Sequence, residues 1–201
     1  LDTEDYYDQE CSWWHTDDRG EVYRNRIRKI NGRSYAFDGI GRMQTGFVLF
    51  DGKSEFVARY EVDDWSSEDF IEGTIYGIEK SDLYLFSPDE LNDGSMQIGK
   101  DIAVELEDGV FHFGFASNGK AFGNRNRLQK KEGMYYINGL RLEADEEYGY
   151  GVVKVEDGAD AYYQVVDTRG KVIEGKKKIV KDKEGGYLLI IRNRLVAWCG
   201  D

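Results

Sequence analysis

The chain has 201 residues, of which 40% are apolar and 14% aromatic, enough to bury a core and too much for a disordered polymer. Its 39 acidic and 27 basic residues give a formal charge of -12, a field that repels phosphate backbones and excludes nucleic acid as an expected partner. No apolar run approaches the roughly 20 residues that span a bilayer, so no membrane insertion is expected.

The first residue, Leu1, is not a methionine, which reads as a processed form, so the missing signal peptide says nothing about export. Residues 1–22 are expected to form an N-terminal cap. Within them Trp13 and Trp14 are adjacent, so on a strand they point to opposite faces and one is available to a ligand. From residue 23 onward come short alternating runs, among them 34–37, 46–50, 103–106, 110–113 and 187–191, rich in Val, Ile, Tyr and Phe. They predict strands of about five residues. Residues 63–71 can form at most a short helical turn. Asn-Gly or Asp-Gly punctuates the runs at residues 31, 38, 51, 93, 108, 118, 138 and 157, and each pair predicts a type I′ hairpin turn.

Four times an aromatic pair leads into a glycine-bounded step. Tyr35/Phe37 precedes Gly41 to Gly46, Tyr84/Phe86 precedes Gly94 to Gly99, Phe111/Phe113 precedes Gly119 to Gly123, and Tyr162/Tyr163 precedes Gly170 to Gly175. The spacings approximate multiples of about 25 residues, with degenerate units expected at 73–77 and 138–142. A second register aligns Asn25–Tyr35 with Asn126–Tyr136, and Lys131–Tyr135 with Lys183–Tyr187. Units this short cannot bury their own apolar faces and must stack on neighbours, which predicts an all-β, elongated solenoid of stacked β-hairpin repeats over residues 23–201, in two loosely similar halves, about 23–100 and 101–201.

The stretch Lys29 to Lys53, with its Asn-Gly turn, aromatic cluster, Asp-x-x-Gly, methionine, Thr45-Gly46-Phe47 step and second Asp-Gly-Lys turn, resembles the cell-wall-binding (choline-binding or glucan-binding) repeats of Gram-positive surface proteins. The resemblance continues more loosely from residue 82 to 195. It implies an extracellular, non-catalytic module that docks a secreted protein onto a cell-wall polymer or polysaccharide. In choline-binding members of that family aromatic residues of successive hairpins cage the quaternary ammonium by cation–π attraction. In glucan-binding members aromatic faces stack on sugar rings. Phe47 stands where the family's step carries tryptophan, and lysine stands there in two other steps, which disfavours choline and favours carbohydrate or a spacer role.

The aromatic candidates for a binding face are Trp13, Trp14, Tyr35, Phe37, Phe47, Tyr84, Phe86, Phe111, Phe113, Tyr135, Tyr136, Tyr162 and Tyr163. Each pair suits a packing ladder between hairpins as well as a sugar platform. Basic clusters at Arg24–Lys29, Arg125–Lys131 and Lys176–Lys181 suit a solvated strand face that discourages edge pairing, or a contact with anionic wall polymer. His15 and His112 are the only histidines, no nucleophile–base motif is present, and no cofactor is expected. Asp89 to Gly94 lacks the third-position ligand and the closing glutamate of a calcium loop, so no metal site is expected. Cys11 and Cys199 lie near opposite ends and are expected to be free.

Overall fold

The computed structural model describes residues 13–88, 94–158 and 160–200; Cys11 and residues 89–93 lie outside them. The chain forms two compact units, Leu1–Ala121 and Phe122–Asp201, each built from small antiparallel sheets. In the first unit β1 (Arg26–Ile30), β2 (Arg33–Phe37) and β3 (Met43–Gln44) pair in that order. Next come β4 (Gly46–Asp51), β5 (Phe56–Tyr60), helix α1 (Ser67–Glu72) and β6 (Ser81–Phe86), with β4 central between β5 and β6. The hairpin of β7 (Gly99–Leu106) and β8 (Gly109–Phe115) follows. In the second unit β9 (Gln129–Lys131), β10 (Met134–Ile137) and β11 (Leu140–Leu142) make one meander. A hairpin of β12 (Tyr150–Asp157) and β13 (Asp160–Asp167) leads to a last meander of β14 (Lys177–Lys181), β15 (Tyr187–Ile191) and β16 (Arg194–Cys199). The fold is all-β, and all five quoted runs are strands.

The turns differ from the uniform type I′ expectation. Asn31-Gly32 and Asn138-Gly139 have positive φ at both positions, as that turn requires. Glu132-Gly133 and Arg192-Asn193 make the same turn with neither an Asn-Gly nor an Asp-Gly pair. At residue 108 the loop is Glu107-Asp108, because Gly109 already pairs with Leu106.

A different device recurs at Asp17, Asp38, Asp51, Asp167 and Asp182. The aspartate carbonyl accepts the N–H three residues on, and its own N–H donates to the carbonyl four residues on. Meanwhile its carboxylate accepts backbone N–H groups two or four residues ahead. The fourth position needs positive φ, supplied by glycine at 20, 41, 170 and 185 and by Ser54 in the third turn. The alignment of Lys183–Tyr187 with Lys131–Tyr135 therefore joins two different turns.

The glycine steps are the joints of the repeat. Met43, Met96, Ala121 and Val172 each stand two residues after a step's first glycine and bridge to the strand before it. Each also sends its N–H to a carbonyl further back: to Trp13, Ser34, Leu83 and Gly133 respectively. One short step thus ties its own hairpin to the preceding one, which is how units without a private core come to stack. Residues 73–77 are no such step, since Gly73 caps α1 in the left-handed region and Gly77 opens a 3-10 turn, Ile78–Lys80. Helix α1 starts at Ser66, whose hydroxyl and the Asp69 carboxylate form a capping box, and it buries Phe70.

Candidate functional site

Strands β4 and β6 are buried on both faces, which decides the fate of several aromatic candidates. Phe47 packs its ring against Phe70 of α1 at 5.1 Å and Phe113 of β8 at 5.3 Å, and those two meet at 5.0 Å. Tyr84 and Phe86 share one face of β6 at 6.4 Å and join Ala36, Val48 and Phe50 in a core cluster. Phe37, Tyr135 and Tyr136 are buried as well. Tyr35, Phe111 and Tyr162 are half-buried, and Tyr163, Trp13 and Trp14 are exposed. The pair Tyr162/Tyr163 is not one patch, because adjacent strand residues face opposite ways: Tyr162 turns to the core with Gln164, and Tyr163 to solvent.

Two aromatic clusters keep a wet side. The first gathers around residues 13–37. Both tryptophans are exposed, Trp13 at 71% and Trp14 at 48%. The His15 ring stacks on Tyr23 at 5.4 Å with planes 5° apart, and Tyr23 tilts onto Phe37 at 5.8 Å. The turn at Asp17 makes this possible, folding Thr16 back onto Val22 so that His15 and Tyr23 lie side by side. The Trp13 carbonyl then accepts the Met43 N–H, joining the cluster to the first step. Tyr23 was invisible to the repeat pattern because it lies outside any glycine-bounded pair.

The second cluster lies in the second unit. The Tyr135 hydroxyl donates to Gln164 Oε1 at 2.8 Å, and Gln164 Nε2 donates to the Asn193 carbonyl at 2.7 Å. Asn193 Oδ1 in turn accepts the Gly175 N–H at 2.7 Å. Burial, then the neighbouring Tyr162 hydroxyl, pushes the Tyr135 phenol up to about 12.

Over one ring of the first cluster, two of the second and two rings outside both lie the chain's own cations. Arg28 sits 5.2 Å above Tyr23, Lys130 5.3 Å above Tyr135, Lys131 5.5 Å above Phe122, Lys181 5.4 Å above Tyr187 and Arg194 4.1 Å above Tyr162. Four of these five belong to the basic clusters. Lys130 and Lys181 stand directly across the strand pair from their rings. Among the described residues no group of His, Cys, Asp and Glu side chains has the geometry of a metal site.

No protein-family model matches the chain, and no curated protein is similar to it. Solved structures do align with it. Choline-binding proteins are among them. Choline binding protein F from Streptococcus pneumoniae matches 92% of this chain and 44% of its own length, at 15% identity and a TM-score of 0.46. CbpJ from Streptococcus pneumoniae TIGR4 matches 93% of this chain and 66% of its own, at 13% identity and 0.47. A pneumococcal cell-wall endolysin from phage Cp-1, solved with choline, matches 82% of this chain and 37% of its own, at 15% identity and 0.32. The chain thus spans less than half of the first of these proteins.

Proposed function

We propose that this chain is a non-catalytic module, residues 1–22 its cap and residues 23–201 its repeat domain, that binds a cell-wall polymer or polysaccharide and holds a secreted protein at the bacterial surface. The observation that carries the reading is the pair of exposed, adjacent tryptophans beside the stacked His15 and Tyr23 rings. Large apolar rings left in water next to a rigid aromatic stack form a surface suited to the flat faces of sugar rings. The wall-repeat motif of residues 29–53 supports the same reading from sequence.

The test is sedimentation with insoluble Gram-positive wall, together with titration of soluble glucans against tryptophan fluorescence. Wild type is expected to co-sediment and to quench or shift on glucan addition. The double variant Trp13→Ala/Trp14→Ala should do neither while melting within a few degrees of wild type, since exposed substitutions shift stability by only about 0.5 kcal/mol. Equal sedimentation of both proteins, or of neither, overturns the proposal.

A second reading, a spacer without a small ligand, is favoured by the burial of Phe37, Phe47, Tyr84, Phe86, Phe113, Tyr135 and Tyr136, which makes these rings the packing between hairpins. Absence of any wall or glucan response in wild type would select it.

A further inference from the structure

A ring that could receive a ligand cation is already taken when a tethered cation lies over it, and the second unit does this most closely at Tyr162. The Arg194 guanidinium carbon stands 4.1 Å from that ring's centroid, against 5.3 to 5.5 Å for the three lysine pairs of the same unit. Both partners are held from behind. Tyr162 lies on the face of β13 that carries Gln164, and Gln164 grips the carbonyl of Asn193, the residue immediately before Arg194. Asn193 is itself fixed by the Gly175 N–H and stands in the left-handed region at φ 64, so the turn aims Arg194 at the ring. Next to Tyr162, the Tyr135 ring is covered by Lys130 from the paired strand β9, and that ammonium is also 3.7 Å from Glu174.

We propose that Arg194 is a specificity-determining residue: it occupies the Tyr162 face as a built-in cation and so keeps quaternary ammonium groups off that ring. Cation–π attraction falls to whichever cation reaches the ring, and a tethered one needs no further loss of translational freedom, so it outcompetes a free ligand at ordinary concentrations. Exclusion of choline from that ring is then active blocking, a different cause from the missing step tryptophans. The inference is independent of the wall-binding role assigned to Trp13 and Trp14, which lie in the other unit.

The experiment titrates choline chloride and tetramethylammonium chloride into the full chain, with sodium chloride as the ionic-strength control, following tyrosine ring protons by NMR. Wild type is expected to show no saturable shift of Tyr162. Arg194→Ala, and Arg194→Gln as a variant that keeps most of the side-chain volume, should gain saturable binding about tenfold tighter than any wild-type response. Arg194→Lys, which restores a tethered cation, should lose most of that gain. Should Arg194→Ala misfold, Arg194→Gln alone decides. Saturable binding by wild type equal to that of the variants, or no gain in a folded variant, overturns the proposal whether or not the chain sediments with wall.

Discussion

Tyr135 shows how one hydroxyl is drawn into the fold. Its folded pKa of about 12 lies above the ordinary 10.0, so the folded state holds the proton more tightly than the unfolded chain. The stabilisation is therefore fully present below about pH 10 and is lost as the pH rises toward 12. Urea midpoints should hold between pH 7 and 9 and fall between about pH 10 and 12. Tyr135→Phe should start lower, by about 1 to 3 kcal/mol, because buried Gln164 Oε1 loses its donor, and it should fall less steeply through the alkaline window. A variant whose alkaline fall matches wild type would show that other tyrosines carry it; burial also raises Tyr60 and Tyr84. Asp38 makes the parallel point for an acceptor. Only 5% exposed, it takes N–H bonds from Ile40, Gly41 and Arg42 and side-chain bonds from Arg42 Nε and Gln44 Nε2. Asp17 makes the same turn at the surface with two. Asp38→Ala is expected to cost about 3 kcal/mol and Asp17→Ala about 1, read as the difference in unfolding free energy.

At the scale of the element, the step is where substitution should be least tolerated. Gly46 has φ 79, and a Cβ there would stand within 2.3 Å of the Tyr60 carbonyl oxygen, a backbone atom of the neighbouring strand that cannot swing away. Gly32, at φ 89 in an open turn, would meet nothing. Gly32→Ala should therefore cost about 1 kcal/mol from backbone strain alone, and Gly46→Ala about 3 or more, with Gly46→Val aggregating; thermal melts that rank the two alanine variants equally would contradict this. The steps were legible in the sequence because a positive φ in a crowded place selects glycine, and seven of the eight step glycines have one. The offset of 101 was legible for a related reason, since it carries Arg33–Phe37 onto residues 134–138, where β10 begins at Met134. The turn type was not. Arg192 and Asn193 reach positive φ with no glycine, because bonds from their N–H groups to the carbonyls of Lys176 and Gly175 fix them from outside the turn. The wet aromatics were half legible. Alternation says which residues share a face, but β4 and β6 have no wet face, since α1 and the next hairpin cover what alternation alone would leave open.

Across the whole molecule the charge of -12 and the local basic clusters make opposite demands on a wall partner. The cations nearest the rings are already engaged: Lys130 with Tyr135 and Glu174, Lys181 with Tyr187, Arg28 with Tyr23. Toward a polyanion the net charge is repulsive, so the attachment proposed through Trp13 and Trp14 would come from ring contact, which is short-ranged and barely screened. Wall binding should then change little as salt rises from roughly 50 to 500 mM, where the Debye length shrinks from about 14 to 4 Å, and should strengthen slightly if the polymer is anionic. Binding carried instead by Lys176, Lys177 and Lys178 on an anionic polymer would collapse steeply over the same range by counterion release. Measuring co-sedimentation against salt for wild type and for the Trp13→Ala/Trp14→Ala variant separates the two: a flat wild-type curve that the tryptophan variant abolishes supports ring stacking. A steep curve insensitive to the tryptophans would move the site to the lysine strand of the second unit.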